Sequence, residues 1–412
     1  MTPLPSDRDP ALRTDVYGGG RIALLGVIAV LMLVPVTLPV TVLRGLVHER
    51  FAVSELLTSL FMSINMVGAV IAAPLAGAIA DRTGRRVPLI VGALLVDGAL
   101  LAALTRDVPF PLFMALRFVE GCAHITALSL LLGLASHATG PGRRGRVMGI
   151  VGGGITLGVA IGAPIGGVLG RSDPLVPLYV GSALVVAAAG LASRVLRETA
   201  GEATRPSLAA IARAVAEDRL LLAPLAFAFA DRFTVGFYTT TFSLFLSRIH
   251  GFDPPRIGLL MAVFMLPFAL LSYPFGRLSE RVSRVALMSA GSLVYGVATA
   301  SVAWCPPAAL PALMVLLGIA SAVMFVPSLL ITGDAAPEEV RTTAMGAFNA
   351  AGSLGFIVGP ATGGLVSQWV AGTHGWEAGY RAAFGVAGAS EILCVALALP
   401  FLARLVRAGR TT

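Results

Sequence analysis

The chain has 412 residues, of which 56% are hydrophobic and only 13% are charged, with a net charge of +8. A soluble domain usually carries roughly 25% charged residues, so this composition favours lipid as the main solvent. All thirty basic residues are arginine. The chain therefore lacks the lysine of a phosphate-binding P-loop, and we do not expect ATP-driven pumping from it. The excess of positive charge does not indicate nucleic-acid binding, because cytoplasmic loops of membrane proteins collect basic residues.

Hydropathy predicts twelve membrane-spanning segments in chain order, each near the length that crosses a bilayer. They divide into two groups of six, which predicts bundles over residues 21–197 and 219–404. The predicted spans are 22–43, 54–78, 87–105, 110–136, 146–169, 176–196, 220–247, 256–275, 285–304, 308–332, 343–370 and 380–403.

Three polar stretches flank or separate these bundles. Residues 1–20 form a predicted N-terminal tail, and residues 405–412 form a C-terminal tail. The linker 198–218 joins the halves, and helical spacing over 207–217 predicts a short amphipathic helix at the membrane surface. The apolar run from Ile22 lacks a small-residue cleavage pattern, so we interpret it as a retained helix. Three cysteines without paired spacing indicate neither a disulfide framework nor a metal site.

A glycine pattern repeats between the halves at an offset of 197 positions. This internal repeat predicts that the two bundles are homologous. Small residues let helix backbones approach closely, so the pattern predicts tight packing, with Pro164 and Pro360 disturbing their helices. The repeated glycines are Gly149, Gly158, Gly162, Gly166 and Gly167 in the first half and Gly346, Gly355, Gly359, Gly363 and Gly364 in the second.

Arginine distribution predicts the orientation of the chain. With a cytoplasmic N-terminus, 21 arginines fall on the inner side, seven on the outer side, and Arg117 and Arg232 within spans. The positive-inside rule then places both termini in the cytoplasm. Arginine without lysine is typical of a GC-rich genome. We therefore expect the chain to lie in the inner membrane of a bacterium.

The loop after the second span reads Gly77, Ala, Ile, Ala, Asp81, Arg82, Thr, Gly84, Arg85, Arg86. It resembles the signature loop of the major facilitator superfamily, and residues 276–284 carry a degraded copy. The fourth span has Arg117, Phe, Val, Glu120, Gly121, similar to an Arg-x-x-Gln-Gly pattern of that family, with Glu in place of Gln. The Gly149–Gly167 pattern resembles the fifth-span motif of its drug:proton antiporters, although Pro164 is displaced by one position.

The resemblance implies an all-α membrane protein of twelve helices in two pseudo-symmetric six-helix bundles around a central cavity. It also implies that Asp81 helps to hold a cytoplasmic gate together with Gly77, Arg82, Gly84, Arg85 and Arg86. The alternative is that Asp81 only neutralises neighbouring arginines.

Ionisable residues within spans are costly and are candidate sites. Arg117, Glu120 and His124 share one face of the fourth span, where an ion pair would make burial tolerable, and a proton on Glu120 would release Arg117. A static pair with a hydrogen-bonded histidine is the alternative. Asp97 could pair with Arg117 or stay as a solitary acid. Asp231 and Arg232 diverge on a helix, so we expect only one to face the cavity, or a surface pair.

Glu391 is interpreted as a packing or internal hydrogen-bonding residue. Proton-coupling candidates are therefore Glu120, Arg117, Asp97 and Asp231, concentrated in the first half. Methionine and aromatic side chains on the spans suit an apolar or amphipathic solute, although such side chains are commonly lipid-facing or core. The predicted cavity residues are His124, Tyr238, Asn65, Met324, Phe325 and Met265.

These residues lead to a prediction of a secondary active transporter that exports an apolar or amphipathic small molecule in exchange for protons. The alternatives are a carrier of a specific metabolite, sugar or lysolipid, and a transport-inactive receptor or scaffold. No catalytic constellation is evident, so we expect no enzyme activity, no cofactor and no metal. The expected partners are a small-molecule substrate, protons and membrane lipid, with the chain acting as a monomer.

Overall fold

A computed structural model describes residues 19–137, 141–198, 219–335 and 341–407. The predicted tails and the linker 198–218, with its amphipathic helix, lie almost entirely outside these residues. Within them the chain is nearly all helical, and eleven helices are long and apolar enough to cross a membrane. The last of these, Ala344–Arg404, is two spans, because the helical stretch Arg341–Arg407 breaks at Gly375, where φ is 83° and ψ is 163°.

The twelve spans follow one another along the chain as α1 to α12. The first half contains α1 (Gly19–Thr37), α2 (Glu55–Thr83), α3 (Arg86–Ala103), α4 (Phe110–His137), α5 (Pro141–Leu169) and α6 (Val176–Val195). The second half contains α7 (Leu222–Phe237, continued by a π-helical turn Tyr238–Phe242 and the helix Ser243–His250), α8 (Pro254–Leu278), α9 (Arg284–Ser301), α10 (Leu310–Ala335), and α11 and α12 before and after Gly375.

Helix ends follow local chemistry. The Ser54 hydroxyl accepts a hydrogen bond from the Leu57 amide at the start of α2, and Asp253 does the same for the Arg256 amide at the start of α8. Gly84 ends α2 and Gly251 ends α7, both with φ near 62°, a left-handed conformation that glycine adopts without strain. Past Thr37, α1 tightens into a 3₁₀ turn, Leu38–Val42, at a proline that lacks an amide donor.

One predicted connection was wrong, because the expected nine residues between 370 and 380 are a single break at Gly375. The predicted span 146–169 coincides with the apolar segment Arg146–Leu169, although the helix α5 that contains it begins at Pro141. Hydropathy measures how far a segment is apolar. A backbone helix continues past the apolar window wherever polar residues tolerate helical geometry.

The helices of the two halves pack in the same pattern. In the first half α1 packs on α5, α2 on α4, and α3 on α6; in the second, α7 packs on α11, α8 on α10, and α9 on the α11–α12 stretch. Between the halves, α2 packs on the α11–α12 stretch and α5 packs on α8. We name the two ends of the helical bundle by the parts of the chain that lie there. The terminal end carries Gly19, Arg407 and the loop at Gly84, whereas the far end carries the connections 50–54, 104–109 and 251–253.

The repeated glycines have repeated contacts. Added Cβ atoms at Gly158, Gly162 and Gly166 would meet α1, at 2.8 Å from Leu33 Cβ, 2.1 Å from Thr37 Oγ1 and 2.1 Å from Leu38 O respectively. Their counterparts Gly355, Gly359 and Gly363 meet α7 in the same way, and Pro360 packs on Gly236. The packing prediction for these glycines therefore agrees with the contacts.

The last glycine of each repeat contacts the other half instead. An added Cβ at Gly167 would lie 2.4 Å from Pro254 O at the start of α8, and one at Gly364 would lie 2.7 Å from Ser59 Oγ on α2. The prediction fails at Gly149, where an added Cβ meets nothing within 4 Å. Gly149 is on an exposed face of α5, although Val147 and Val151 on the same helix are buried.

Candidate functional site

A buried polar cluster joins three helices of the first half. Arg117 Nη1 lies 2.8 Å from Glu120 Oε2, and Asn65 Nδ2 donates to the same oxygen at 2.5 Å. His124 Nδ1 lies 2.9 Å from Asp97 Oδ2. All five side chains are buried. The cluster therefore consists of two carboxylates, one guanidinium, one imidazole and one amide, removed from bulk solvent.

Glycine on α4 makes this geometry attainable. A Cβ at Gly121 would lie 2.1 Å from Asn65 O, so α2 and α4 approach until their backbones touch. That approach lets the short Asn65 side chain reach Glu120. The guanidinium of Arg117 lies 4.5 Å from the Phe61 ring, a cation–π contact that partly offsets the cost of burial.

The structure corrects one prediction for this cluster. Asp97 pairs with His124 rather than with Arg117, which pairs with Glu120. Ligand atoms of Asp97, Glu120 and His124 lie within 4.8 Å of one another, close enough to hold a cation. The Arg117 guanidinium already neutralises Glu120 at 2.8 Å and opposes a divalent ion there, so the arrangement suits a proton better.

A central cavity of about 220 Å³ lies next to this cluster, between the two halves. The helix α2 connects the two, because Met62 and Met66 line the cavity and Asn65, between them in sequence, belongs to the cluster. The remaining lining comes from α1, α5, α7, α8, α10 and α11, with the residues Leu33, Val36, Thr37, Val40, Val159, Ala163, Val235, Tyr238, Thr239, Phe242, Met261, Phe264, Met265, Met314, Phe356 and Pro360.

The few polar side chains of the central cavity already have hydrogen-bond partners. Thr37 donates to Val159 O at 3.0 Å, and Thr239 donates to Gly236 O at 2.9 Å. The Tyr238 hydroxyl lies 3.2 Å from Thr299 Oγ1. No charged side chain lines the cavity among the described residues. A bound molecule would therefore meet an almost entirely apolar surface.

Two of the six predicted cavity residues, Tyr238 and Met265, line the central cavity. His124 and Asn65 belong to the buried polar cluster. Met324 packs against α9, with its amide 2.9 Å from an added Cβ at Gly291, and Phe325 lies beside Phe268. Met324 and Phe325 lie ten and eleven positions beyond Met314, about 15 Å further along α10, and neither lines the central cavity.

A second cavity, the vestibule, lies between the halves towards the terminal end. It has a volume of about 350 Å³ and contains Asp231, Arg232, Asn349 and Ser353 among its lining residues. Asp231 Oδ2 and Arg232 Nη1 are 3.3 Å apart. The expectation that only one of these neighbours faces a cavity is wrong, because both line the vestibule. The alternative of an ion pair agrees with this contact, except that Asp231 is buried rather than at the surface.

Glu391 on α12 forms internal hydrogen bonds, as predicted. It is completely buried and accepts from Thr234 Oγ1 at 2.8 Å and from the Ser292 hydroxyl. The second half therefore also contains a buried acid, although the sequence assigned the charge chemistry mainly to the first half. Of these residues, Thr234 shares α7 with Asp231, one helical turn away.

The far-end network is a group of polar residues that the sequence analysis missed. Glu55 on α2 lies 2.6 Å from Arg248 Nε on α7 and accepts from the Tyr380 hydroxyl on α12 at 2.6 Å. His48 Nε2 lies 3.0 Å from Arg248, whose guanidinium lies 4.1 Å from the Trp376 ring. The network ties the two halves together. The sequence offered one weak signal, a glutamate directly after the capping Ser54.

The predicted gating loop has a defined backbone at the terminal end. Glu198, which follows α6, accepts from the Arg86 amide at 3.0 Å and the Val87 amide at 2.9 Å, and so caps α3. Arg82 and Arg85 are exposed, and Gly77 is half-buried. The side chain of Asp81 lies outside the described residues, so its gating role stays a prediction.

This arrangement defines a membrane transporter with two related halves around a central cavity. A profile of the Major Facilitator Superfamily matches residues 22–230 and 224–411. The chain belongs to the Major Facilitator Superfamily, which confirms the fold that the motifs implied.

Two curated relatives are similar to this chain. The 3-(3-hydroxy-phenyl)propionate transporter of Escherichia coli (strain K12) is 25% identical over 356 residues, which cover 84% of this chain and 86% of the relative. Multidrug resistance protein 2 of Bacillus subtilis (strain 168) is 26% identical over 228 residues, which cover 53% of each chain.

Solved structures share the fold. A bacterial homolog of the human lysosomal transporter Spinster, in an inward-facing and occupied conformation, aligns with a TM-score of 0.80 at 14% identity, over 95% of this chain and 97% of that chain. A D-xylose–proton symporter aligns with a TM-score of 0.74 at 16% identity, over 93% of this chain and 97% of that chain. At these identities the likeness establishes the fold alone.

Proposed function

We propose that this transporter exports an apolar or amphipathic small molecule across a bacterial inner membrane in exchange for protons. The terminal end is cytoplasmic in this proposal, as the arginine distribution predicts. The vestibule would then open towards the cytoplasm, while the far-end network closes the outer side. The apolar central cavity favours a solute that partitions into lipid.

The observation that carries proton coupling is the charge balance of the buried polar cluster. With Asp97 and Glu120 ionised and His124 neutral, Arg117 leaves one negative charge uncompensated. An unbalanced buried charge is expensive, so the cluster favours holding one exchangeable proton. Asn65 and Arg117 share one Glu120 oxygen. Protonation of Glu120 would weaken both contacts, and α2, which lines the cavity, would respond.

A growth-inhibition panel in an efflux-deficient host tests this function. Resistance to several unrelated apolar compounds, abolished by a proton uncoupler, is the expected result. Purified protein in liposomes should then move an apolar fluorescent dye only when a pH gradient is imposed. Dye movement that ignores the gradient would overturn proton coupling. No movement of any solute would favour the receptor or scaffold alternative.

A metabolite carrier is the second candidate, and the vestibule favours it. Arg232 lines this cavity beside Asn349 and Ser353, and a substrate carboxylate could replace Asp231, which now pairs with Arg232 at 3.3 Å. The Escherichia coli relative is named for an aromatic carboxylate. Saturable, pH-independent uptake of 3-(3-hydroxyphenyl)propionate, lost in Arg232→Gln, would establish this alternative and reject broad export.

A further inference from the structure

A second buried acid that lacks a cation lies in the second half, at Glu391 on α12. Its two carboxyl oxygens contact only hydroxyls, with Thr234 Oγ1 on α7 at 2.8 Å from Oε1 and Ser292 Oγ on α9 beside Oε2. Among the described residues, no arginine or histidine pairs with this carboxyl group. An ionised carboxylate is costly in such surroundings, and a proton on it removes that cost.

The hydroxyl of Thr234 fits Glu391 in both protonation states. Its oxygen contacts Ala230 O as well as Glu391 Oε1, but a hydroxyl has only one hydrogen to donate. When Glu391 is ionised, Thr234 donates to the carboxylate. When Glu391 is protonated, Oε1 donates to Thr234, which then donates to Ala230 O. The contact therefore persists when a proton binds or leaves, and no side chain has to move.

The groups that interact electrostatically with Glu391 repeat the charge balance of the buried polar cluster. Within the part of the chain that the structure describes, they are Asp231 on α7, which pairs with Arg232 at 3.3 Å, Tyr295 on α9 and Cys394 on α12. Tyrosine and cysteine side chains ordinarily titrate above neutral pH. Two carboxylates and one guanidinium again leave one negative charge uncompensated, and one proton on Glu391 removes it.

Asp231 connects Glu391 to the vestibule. Asp231 lines that cavity, and Thr234 lies three positions further along α7 on the same helical face. This separation is about one helical turn, or roughly 5 Å along the axis. A proton from vestibule water therefore has a short path to Glu391 Oε1.

The helix α7 connects Glu391 to the central cavity as well. Val235, directly after Thr234, lines the central cavity, and so does Tyr238 one turn further on. The ring of Tyr238 lies 6.4 Å from the ring of Tyr295. Proton binding at Glu391 thus acts on a helix that contacts the solute, just as proton binding in the first half acts on α2.

We propose that Glu391 is a second proton-binding site, which exchanges its proton with vestibule water and gives the transporter one exchangeable proton in each half. The proton leaves a water molecule of the vestibule and forms an O–H bond at Glu391 Oε1, so the uncompensated negative charge of this group disappears. The role of this proton in coupling rests on the proposed function, whereas proton binding itself does not.

Infrared spectroscopy of the full chain in liposomes tests proton binding without requiring transport. A protonated carboxyl group has a C=O band that is separate from the carboxylate bands and shifts in heavy water. At neutral pH, Glu391→Gln should lose such a band in addition to any band that Glu120→Gln loses. The control is Glu280→Gln, an exposed acid at the terminal end, which should keep the band.

Two outcomes of this measurement would overturn the site. If Glu391→Gln keeps every C=O band of the unmodified protein, Glu391 is ionised and binds no proton. If the band of Glu391 neither shifts in heavy water nor disappears between about pH 5 and about pH 10, the acid is permanently protonated and exchanges nothing.

Thr234→Val tests the same contact in a protein that keeps the acid, and so it serves if Glu391→Gln does not fold. A carboxyl group that loses its hydrogen-bond acceptor should show its C=O band at a higher wavenumber. The matched control is Thr156→Val, because Thr156 is exposed and its hydroxyl donates within α5, to Gly152 O at 3.1 Å. A band at the same position in both variants would overturn the assignment to Glu391.

The coupling role is measured from the steady-state accumulation of a neutral apolar dye in liposomes at zero membrane potential. Each coupled proton changes the accumulation ratio about tenfold for one unit of pH difference. The loss of one proton in Glu391→Gln should therefore lower the accumulation about tenfold at a difference of about one pH unit. Glu280→Gln should leave the accumulation unchanged.

The proposed function fails separately. If the unmodified protein moves no apolar dye, export is rejected, whereas the infrared band still decides whether Glu391 binds an exchangeable proton. If dye accumulation is driven by the pH gradient and is equal in Glu391→Gln and Glu280→Gln, export stands and the coupling role of Glu391 is rejected.

Discussion

At the scale of single residues, the chemistry is concentrated where charged groups are buried in pairs. Arg117 and Glu120 could be paired from the sequence, because positions i and i+3 lie on one helical face. The partners Asn65 and Asp97 could not, since they come from two other helices. Asn65 reaches Glu120 because Gly121 lets α2 and α4 approach until their backbones touch. This role of Gly121 can be recognised only in the three-dimensional structure.

The Glu120 carboxylate is expected to couple proton movement to solute movement. In Glu120→Gln the side chain cannot exchange a proton, so accumulation driven by a pH gradient should fall at least about tenfold. Solute counterflow without a gradient should continue, because the cavity is unchanged. Both are measured in liposomes with an apolar dye. Glu280→Gln, an exposed acid at the terminal end, is the control. Loss of counterflow together with driven uptake would assign Glu120 to structure only.

Glu391 is expected to stabilise the second half through its two hydroxyl donors. Glu391→Leu would leave Thr234 and Ser292 with a lost partner and should lower stability by about 1–3 kcal/mol. Glu391→Gln keeps an acceptor oxygen and should lose less. Thermal unfolding in detergent measures the difference. Equal melting temperatures for the two variants would contradict a stabilising role for these hydrogen bonds.

At the scale of helices, the glycine repeat has two functions that the sequence does not separate. The three middle glycines in each half hold a pair of helices together, whereas the last glycine, Gly167 or Gly364, holds the two halves together at the far end. Spacing identifies all of them as packing positions. Which neighbour each one meets depends on how the bundles dock.

A side chain at the last glycine of either repeat should prevent the far end from closing. In Gly364→Val and Gly167→Val the new atoms would overlap Ser59 or Pro254, and the halves must separate there. Spin labels on Asp107→Cys and Ala308→Cys, at far-end connections of opposite halves, should report a longer distance, in a chain without its native cysteines.

Gly153→Val is the matched control for this measurement, because its added atoms meet open space. An unchanged distance in all three variants would contradict a docking role for Gly167 and Gly364.

At the scale of the whole molecule, the two halves meet through the far-end network and the last glycine of each repeat. Towards the terminal end the vestibule separates them. Alternating access requires such an arrangement to be reversible. Glu55 is buried, yet its partners Arg248 and Tyr380 belong to the other half. Opening of the far end must therefore expose the Glu55 carboxylate to solvent or give it a new partner.

Loss of one member of this ion pair should shift the molecule towards an open far end. Arg248→Ala leaves Glu55 without its cation, and a one-sided loss of a buried pair is strongly unfavourable to the closed state. The Asp107–Ala308 spin-label distance should broaden towards longer values. The double variant Glu55→Arg with Arg248→Glu should restore part of the short-distance population.

Arg381→Ala is the control, because Arg381 pairs with Glu377 inside the second half. If Arg381→Ala and Arg248→Ala broaden the distance equally, the network has no special part in closure.

The amino-acid sequence alone was enough to predict the lipid environment, the number of spans, the internal repeat and the superfamily. Each of these is a property of local composition or of a short motif, and such properties survive in a linear pattern. Arg117 with Glu120 belongs to the same group, because helical spacing fixes their relation. The tertiary structure decided the pairing of Asp97 with His124, the Glu55–Arg248–Tyr380 network, and which residues of α10 reach the cavity. These contacts join positions far apart in the chain, so they depend on helix rotation and docking, which are set by the packing of all twelve spans together.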